Sequence, residues 1–217
     1  MKLRLETVVE LTHPTQVIAD IGTDHAYVPC ALIKNKKALK CYACDVLEGP
    51  LQAAKKNIQH QGYEDKIETI LSDGLKEVPL DTNTIIIAGM GWLTAKQILE
   101  TGLLKFKRIE QVVIQVNKDV DALREWISDH NYTIEREKMI EEVHVYQIIS
   151  FTLDKHKPYS EKELFFGPQL LHEKNEVFRS YYHDKLQEYE HIVKHLAADD
   201  LRRIVLKKRI QWIREEI

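Results

Sequence analysis

The sequence predicts an α/β protein whose doubly wound, mostly parallel sheet is closed by an antiparallel hairpin and followed by a helical region. Up to about residue 154, short apolar runs alternate with amphipathic stretches, and such alternation of strands and helices favours a parallel sheet. Two strand-like runs then follow each other with no helix between them, which is typical of an antiparallel pair. Beyond the polar linker 154–158 no strand-like run remains, so the rest of the chain is predicted to be helical.

Seven strands are predicted from short apolar runs, and the run that begins at Thr84 is continuous and β-branched, as in a strand buried on both faces. The strands are predicted over 16–22, 39–46, 67–71, 84–88, 109–116, 132–139 and 143–153. Apolar residues at helical spacing predict the helices that connect them. These helices are predicted over 30–36, 47–61, 92–101 and 120–130, with Pro50 in the first turn of the second and Gly102 at the C-cap of the third.

The residues after the linker are predicted to form two long helices joined by a short turn, which makes an antiparallel hairpin. Pro168 can start the first of these helices. The second follows the turn 197–200, in which Asp199 or Asp200 suits an N-cap.

The chain is predicted to divide into two domains, residues 1–154 and residues 155–217. The first carries 18 Lys and Arg against 23 Asp and Glu, a balance of −5, whereas the second carries 13 against 11, a balance of +2. The whole-chain charge of −3 gives no sign of a nucleic-acid partner, so a polyanion would have to contact local basic patches.

The composition favours a soluble globular protein. Hydrophobic residues make up 44% of the 217 residues, enough to fill a core, which argues against a disordered chain. No apolar stretch approaches the roughly 18 residues that a membrane span needs, and the N-terminal residues lack the apolar region of a signal peptide. Three cysteines cannot make a disulfide framework, so we expect a cytoplasmic protein.

The loop after the first predicted strand, ADIGTDHAY at 19–27, is the first candidate ligand-binding segment. In doubly wound sheets the ligand lies beside the first strand-to-helix turn, and Gly22 would let the backbone approach it closely. Asp24 stands where the dinucleotide motif G-x-G-x-x-G has its second glycine, so its carboxylate would occupy the place of a pyrophosphate. This argues against NAD and favours a nucleoside with a cationic, phosphate-free end. The alternative is that Asp24 only caps a helix in a tight turn.

Two further carboxylates follow the next two predicted strands. Asp45 ends the second strand, 25 residues after Asp20, and such a residue can accept hydrogen bonds from both hydroxyls of a ribose. The alternative is that Asp45 caps the helix after it. Asp73 follows the third strand and could accept from the exocyclic amine of an adenine, although its segment alone is also a common turn.

The glycine-rich segment after the fourth strand, IIIAGMGW at 85–92, is the fourth candidate. Gly89 and Gly91 would expose backbone groups, while Met90 and Trp92 would supply apolar surface. An extruded base needs both, because its edge requires hydrogen-bonding partners and its face requires a surface to stack on. A glycine-rich turn with a core methionine explains this segment equally well when it is taken alone.

Taken in order, the four segments resemble those of the bacterial tRNA (adenine-22, N1)-methyltransferases, S-adenosylmethionine-dependent enzymes with the Rossmann-like class I methyltransferase fold. The matching segments are DIGTDHAY at 20–27, EGP at 48–50, SDGL at 72–75 and IAGMG at 87–91. The resemblance covers essentially the whole chain, because that family also has a C-terminal, coiled-coil-like helical domain. Two positions depart from the family pattern, Trp92 in place of a further glycine and Val116 in place of proline.

The resemblance implies that the chain moves the methyl group of S-adenosylmethionine to ring nitrogen 1 of adenine 22 in tRNA. The charge of Asp24 would then complement a cationic amine and sulfonium. The implied cofactor-binding residues lie in the loops after four strands: Asp20, Gly22, Asp24 and His25 at the methionine end, Asp45 and Val46 at the ribose, Asp73 and Gly74 at the adenine, and Ala88, Gly89, Met90 and Gly91 under the sulfonium.

The chemistry expected of such an enzyme is mainly positional. The ring nitrogen has an in-plane lone pair, so the base must be extruded, desolvated and aligned with the methyl group rather than deprotonated. The product is cationic, and Asp24 and Asn117 are the candidates to stabilise its charge. The candidates for edge or stacking contacts with the base are His25, Tyr27 and Trp92.

We expect residues 155–217 to hold tRNA rather than to build the catalytic pocket. One alternative is that the cations near the end of the last helix only stabilise a helix C-terminus. Another is that Leu171, Phe178 and Tyr182 pack on the sheet and stabilise it. The candidate phosphate contacts at the basic end of the last helix are Arg202, Arg203, Lys207 and Lys208.

Two other functions fit the same fold: a nucleotide-dependent oxidoreductase, against which Asp24 argues, and a non-catalytic RNA-binding module. No metal is expected, because Cys41 and Cys44, three residues apart in a strand, face opposite sides of the sheet. His191 and His195 have the spacing of a zinc pair but no obvious third ligand. No membrane partner is expected, and the chain is predicted to act as a monomer.

Overall fold

The computed structural model describes residues 1–217 and contains one seven-stranded sheet. The strands, numbered along the chain, are β1 Thr15–Ile21, β2 Ala38–Asp45, β3 Ile67–Leu71, β4 Thr84–Met90, β5 Gln111–Val116, β6 Thr133–Glu141 and β7 Val145–Thr152. Their spatial order is β3-β2-β1-β4-β5-β7-β6, with β1 to β5 parallel and β7 antiparallel to both β5 and β6. The prediction of a parallel sheet closed by an antiparallel hairpin is therefore confirmed.

Nine helices accompany the sheet and cover both its faces; four of them connect successive strands, and β3 is joined to β4 without a helix. They are α1 Leu3–Leu11, α2 Tyr27–Lys34, α3 Glu48–Gln61, α4 Trp92–Gly102, α5 Val120–Asp129, α6 Glu161–Phe166, α7 Leu170–Glu173, α8 Glu176–His195 and α9 Arg202–Glu216. A short 3₁₀ turn, Leu103–Lys105, follows α4. None of the helices combines the length and the apolar character that crossing a membrane requires.

Three successive isoleucines in β4 lie at the centre of the molecule. Ile85 and Ile87 belong to the core formed with α4 and α5, whereas Ile86 belongs to the core formed with α1 and α2 on the other face. Successive side chains of a strand point to opposite faces of the sheet, and all three isoleucines are fully buried. The continuous apolar run therefore indicates a strand that has a hydrophobic core on each face of the sheet.

The strand order reverses between β1 and β4, the two central strands of the parallel part. At such a reversal the loops that leave the carboxyl ends of the two strands run to opposite faces and open a crevice between them. The loops after β1 and β4 border this crevice, and those after β2 and β3 follow along the same edge. The four candidate segments of the sequence therefore share one edge of the sheet.

Two features of the α/β region differ from the prediction. The helix α1 precedes the first strand, where no element is predicted, and it buries Val8, Val9 and Leu11 in the core. Gly102 is not a left-handed C-cap, because its φ is −133° and the chain continues into the 3₁₀ turn. A side chain is excluded there for a different reason, since a Cβ on Gly102 would lie 2.5 Å from the Cβ of Leu75.

The helices after the linker also begin at other residues than predicted. Pro168 lies between α6 and α7 and does not start a long helix. Ser160 starts α6 through a capping box with Glu163, and Gly167, at a φ of +96°, follows the end of that helix. Asn175 caps α8 through its side-chain oxygen. The predicted pair of long helices is formed by α8 and α9, which pack against each other.

These C-terminal helices pack against β6, the outer strand of the sheet. Met139 of β6 lies in one apolar cluster with Phe165, Phe166, Phe178 and Tyr182, all of them buried. The alternative considered for Phe178 and Tyr182, packing on the sheet, is therefore present in the structure.

The residues that precede α7 and α8 donate hydrogen bonds from their side-chain amides to backbone carbonyls of β6. Gln169 Nε2 donates to the carbonyl of Ile134 at 3.3 Å, and Asn175 Nδ2 donates to that of Met139 at 3.2 Å. An edge strand has unpaired backbone groups, and these amides give two of them a partner.

Candidate functional site

A cavity of about 430 Å³ opens at the point where the strand order reverses. A second cavity of about 250 Å³ lies next to it, and Gly22 lines both. The first is lined by the predicted site residues Asp20, Gly22, Asp24, Tyr27 and Ala88, and the second by Gly22, Asp45, Val46, Asp73, Gly74 and Met90. The structure thus brings residues from all four candidate segments to two adjoining cavities.

The loop after β1 contains backbone conformations with positive φ, which residues other than glycine adopt only at a cost. Gly22 has a φ of +76°, and a Cβ at this position would overlap the Cε of Met90. The loop is held against β2, because the amides of Gly22 and Thr23 both donate to the carbonyl of Cys44 at 2.8 Å. Gly22 therefore presents backbone without a side chain at the point where the two cavities meet.

Two residues further along this loop are in the left-handed region although neither is glycine. His25 has a φ of +57° and Ala26 of +53°. Such conformations cost roughly 1–3 kcal/mol each and persist only where the surrounding structure holds them. One such restraint is Asn57 of α3, whose Nδ2 donates to the carbonyl of His25 at 2.7 Å.

Asp20, at the end of β1, is a buried carboxyl group on the wall of the larger cavity. Burial raises its pKa from 3.8 to about 6, the neighbouring hydroxyl of Thr23 acts to lower it, and the carboxylate of Asp45 acts to raise it. The hydroxyl of Thr23 is itself buried and makes no hydrogen bond of good geometry. A bound cation would stabilise the buried carboxylate, and a polar ligand group could complete the hydrogen bonding of the hydroxyl.

Asp24, His25 and Tyr27 form a small surface at the mouth of the larger cavity. Asp24 Oδ1 lies 3.4 Å from Nε2 of His25, and the rings of His25 and Tyr27 stack with centroids 5.4 Å apart. The side chain of Tyr27 remains 46% exposed. An aromatic face is therefore available to an incoming planar group.

The smaller cavity combines carboxylates with exposed apolar side chains. Asp45 Oδ1 accepts from the amide of Leu47 at 2.9 Å, which closes a turn before α3, and no side chain caps that helix, so the helix-capping alternative for Asp45 is wrong. Asp73 Oδ2 pairs with the ammonium of Lys76 at 2.5 Å. Val46, which lines this cavity, is 59% exposed. Exposed apolar residues beside carboxylate acceptors suit a nucleoside, which has both a hydrophobic ring and hydroxyl donors.

Trp92 does not lie on the surface of the site, so the prediction that it stacks on a base is wrong. It is the first residue of α4 and only 6% exposed, and its ring packs edge-on against Trp126 of α5 with centroids 6.2 Å apart. The reason is the start of α4, which directs its first side chain into the core, while Leu93 is left exposed. The other departure from the family pattern, Val116, is buried at the end of β5.

The end of β4 is held in place by the residue that follows β5. Asn117 donates from its Nδ2 to the carbonyl of Gly89 at 2.9 Å, and its backbone amide donates to the carbonyl of Met90 at 2.9 Å. Gly89 has a φ of +88° and lies beside the guanidinium of Arg4. Arg4 belongs to α1 and also lines the larger cavity, together with Lys2. No motif marks Arg4, and only the helical pattern of α1 could have indicated its place.

The basic residues of α9 lie away from both cavities, and most of them have protein partners. Arg202 and Arg203 are the first residues of α9 and not its C-terminal end, and Arg203 Nη1 donates to the carbonyls of Val193 and Leu196 at the end of α8, at 2.7 and 2.8 Å. Four ion pairs involve basic residues of α9: Arg202 with Asp200 at 2.6 Å, Lys208 with Glu161 at 2.7 Å, Arg209 with Asp121 at 3.5 Å and Arg214 with Glu190 at 2.7 Å. Lys207 is in no ion pair.

No group of three or more His, Cys, Asp or Glu side chains is arranged to hold a metal ion. Cys41 and Cys44 are both buried in β2, and burial raises the pKa of the Cys44 thiol to about 12. His191 and His195 are close to each other on α8, with ring centroids 4.3 Å apart.

The chain matches known proteins over almost its whole length. The family model TrmK, described as tRNA (adenine(22)-N(1))-methyltransferase, matches residues 18–215. A Bacillus subtilis (strain 168) protein named tRNA (adenine(22)-N(1))-methyltransferase is 33% identical over 205 residues, which are 90% of this chain and 86% of the relative.

Solved structures agree with this match. A Streptococcus pneumoniae protein described as a putative tRNA (m1A22) methyltransferase, in complex with S-adenosyl-L-methionine, has a TM-score of 0.87 at 32% identity and covers 99% of each chain. M. capricolum TrmK in complex with S-adenosyl-homocysteine has a TM-score of 0.87 at 33% identity, covering 99% of this chain and 96% of the other. With a family model that spans residues 18–215 and a relative at 33% identity, this chain belongs to the tRNA (adenine(22)-N(1))-methyltransferase family.

Proposed function

We propose that this protein transfers the methyl group of S-adenosylmethionine to ring nitrogen 1 of adenine 22 in tRNA. Family membership provides the reaction, and the observation that supports it in this chain is the position of Asp20 and Asp24 on one cavity at the strand reversal. The cofactor supplies an electrophilic methyl group on a sulfonium. The chain then has to bind a cation, bring in a base and exclude water.

The larger cavity suits the methionine end of the cofactor. A buried carboxyl group with a raised pKa, Asp20, gains from a nearby ammonium because the cation stabilises its ionised form. The buried hydroxyl of Thr23 offers a hydrogen bond, and the bare backbone of Gly22 allows close approach. We assign Asp20, Gly22, Asp24 and His25 to this end, with Ala88 to Gly91 beside the sulfonium.

The smaller cavity suits the adenosine half. One oxygen of Asp45 is engaged with the Leu47 amide, which leaves the other to accept from ribose hydroxyls. Val46 would cover the adenine with its exposed apolar side chain, and Asp73 would accept from the exocyclic amine. Gly74, at a φ of +61°, lets the backbone turn where a Cβ would lie 3.0 Å from Ile98.

The target adenine would enter at the mouth of the larger cavity. Its ring nitrogen has its own lone pair, so the protein has to align it with the methyl group and not to remove a proton. We assign stacking to Tyr27 and edge contacts to His25, whose rings already stack on each other. Positive charge develops on the base, and the carboxylate of Asp24 and the amide oxygen of Asn117 would stabilise it.

We assign tRNA binding to residues 155–217, although those helices also complete the packing at β6. Lys207 is the strongest candidate for a phosphate contact, because it has no ion-pair partner, whereas Arg202 and Lys208 would have to leave theirs. Three reduced, buried cysteines fit action in the cytoplasm.

The decisive experiment is incubation of the protein with methyl-labelled S-adenosylmethionine and a tRNA transcript, followed by nucleoside mass analysis. We expect 1-methyladenosine, located at position 22. The matched control is the same transcript with guanosine at position 22, which should take up no label. Binding of tRNA and of S-adenosylmethionine without transfer would favour the non-catalytic RNA-binding module. Reduction of a bound nicotinamide would favour the oxidoreductase.

A further inference from the structure

Helix α1 brings an arginine to the wall of the larger cavity. Arg4 Nη1 donates to Oε1 of Gln115 at 2.6 Å, and its guanidinium lies 5.6 Å from the ring centroid of Tyr146. The start of α1 is fixed as well, because the amide of Leu3 donates to Oε1 of Glu142 in the β6–β7 turn at 2.7 Å. Arg4 is therefore held by both the end of β5 and the hairpin.

A chain of hydrogen bonds runs from Arg4 to Gly89, near the end of β4. Gln115 Nε2 donates to Oδ1 of Asn117 at 3.2 Å, and Asn117 Nδ2 donates to the carbonyl of Gly89 at 2.9 Å. A guanidinium can only donate and a peptide carbonyl can only accept, so the two ends fix the orientation of both carboxamides. Gln115 is fully buried, and without Arg4 its Oε1 would lose the donor that it has there.

The proposed function requires the segment 88–91 to keep one conformation beside the sulfonium. Gly89 has a φ of +88°, and a Cβ on it would lie 3.2 Å from Nη1 of Arg4, so the guanidinium packs directly on this glycine. Asn117 binds the same segment twice, through its side chain to Gly89 and through its backbone amide to the carbonyl of Met90. The segment is thus held between Arg4 on one side and Asn117 on the other.

We propose that Arg4 is a positioning residue for methyl transfer, which acts by orienting Gln115 and Asn117 and thereby the Gly89–Met90 backbone. The proposal rests on the proposed function, because the reaction defines what is positioned. It assigns to α1 a part in the reaction that none of the four loop motifs contains. The role of Arg4 differs from that of Asp20 and Asp24, because those two residues are assigned direct contact with the cofactor or the base.

The test compares Arg4→Met with Arg4→Lys and with Arg108→Met, a control at an exposed arginine outside the site. We expect Arg4→Met to lower kcat at saturating cofactor and tRNA by roughly tenfold to a hundredfold, as small misplacements of reacting groups do. The Kd for S-adenosylmethionine should change by less than about threefold. Arg4→Lys should recover only part of kcat, because an ammonium lacks the planar fork. A loss that lies in the cofactor Kd, or a kcat within about twofold of the parent, overturns the proposal.

A double-mutant cycle tests whether Arg4 acts through Gln115. Because both belong to one hydrogen-bonded chain, Arg4→Met combined with Gln115→Met should lose no more kcat than the worse single variant. Additive losses of kcat would overturn the proposal that Arg4 acts through Gln115. Melting temperatures of all variants exclude unfolding as the cause of a loss.

Hydrogen exchange supplies a readout that needs no activity. In Arg4→Met, the backbone amides of 88–92 and of Asn117 should exchange faster than in the parent, while those of 120–129 in α5 should be unchanged. Unaltered exchange at 88–92 overturns the positioning role. If the parent protein does not methylate tRNA, the proposed function is wrong. The exchange experiment then still decides whether Arg4 orders the backbone of 88–92.

Discussion

The guanidinium of Arg124 donates to the carboxylate of Glu137 at 2.7 Å, and both side chains are fully buried between α5 and β6. The second oxygen of Glu137 accepts from the backbone amide of Gln169 at 2.9 Å, and Arg124 Nη2 donates to Gln147 at 2.6 Å. A Cβ on Gly167 would lie 2.7 Å from both charged groups, so the chain passes over the pair with no side chain. The ion pair therefore connects the sheet to the C-terminal helices.

Replacing one partner of this pair should destabilise the whole protein. Glu137→Gln leaves Arg124 as a buried charge with a weaker partner, and such changes cost about 3–5 kcal/mol. Urea unfolding measures the free energy directly. Glu64→Gln, at an exposed glutamate outside the ion pairs, is the control and should stay within about 0.5 kcal/mol. A Glu137→Gln variant as stable as this control would contradict the role given to the pair.

The raised pKa of Asp20 predicts that its carboxylate lowers the stability of the free protein at neutral pH while it favours cofactor binding. Its pKa is about 6 in the folded protein against 3.8 as the ordinary value, so the folded state holds a proton more tightly than the unfolded chain. Stability contributed by this group is present at low pH and is lost as the pH rises from about 4 to 6. Asp20→Asn should therefore raise the melting temperature at pH 7.5 while it weakens binding of S-adenosylmethionine.

The same group predicts how binding depends on pH. In the parent protein, affinity for the cofactor should fall as the pH drops below about 6, because protonated Asp20 no longer attracts an ammonium. Calorimetry between pH 5 and 8 measures this, and Asp20→Asn should remove the dependence because a carboxamide does not titrate in this range. If parent and Asp20→Asn follow the same pH curve, another group is responsible.

Asp45 should contribute to binding of the ribose. Asp45→Ala should weaken cofactor affinity by about 1–3 kcal/mol, because the ribose hydroxyls lose an acceptor. The variant also loses the bond from the Leu47 amide, so Asp45→Asn, which keeps an oxygen for that bond, is the matched control for folding. Calorimetry that gives the parent affinity for Asp45→Ala would remove this residue from the site.

The charge of Asp24 should matter for the reaction more than for the fold. Its side chain is 81% exposed, so Asp24→Asn should leave the melting temperature nearly unchanged. Single-turnover methyl transfer should slow, since the variant keeps the shape and loses the charge that complements the cationic product. Equal rates for the parent and Asp24→Asn would show that its electrostatic role is wrong.

Lys207 tests the assignment of the C-terminal helices to tRNA. Lys207→Glu should weaken tRNA binding, and the slope of log affinity against log salt should become shallower by about 1 for a lost phosphate contact. Cofactor affinity should not change, because Lys207 lies in neither cavity. The control is Lys66→Glu, an equal change of charge beside β3. Equal tRNA affinity for both variants and the parent would argue against this surface.

Periodicity was sufficient for the sheet because its strands are buried in a simple pattern. Ile85, Ile86 and Ile87 are apolar whichever face they take, so the run marks β4 without knowledge of its neighbours. The loops after the strands were predictable for a related reason, since the strand order brings Asp45 and Asp73 to the same edge.

The remaining differences depend on contacts between distant segments, which local patterns do not contain. Trp92 is equally compatible with a surface and a core until the start of α4 places it against Trp126. Arg203 could be a phosphate ligand by composition, but the end of α8 supplies it with two carbonyls. Arg4 is 111 residues from Gln115, and their contact exists only once α1 has packed on the sheet.

The amides that Gln169 and Asn175 present to β6 have a consequence for synthesis of the chain on the ribosome. The seven strands are complete at Thr152, before any residue of α6, α7 or α8 has been made. Because the folded protein covers these groups only with residues made later, we expect β6 to expose two carbonyls and the apolar side chain of Met139 during that interval. The segment from α6 to α8 would therefore protect the outer edge of β6 from pairing with strands of other chains. Slower synthesis of this segment should increase aggregation of newly made protein.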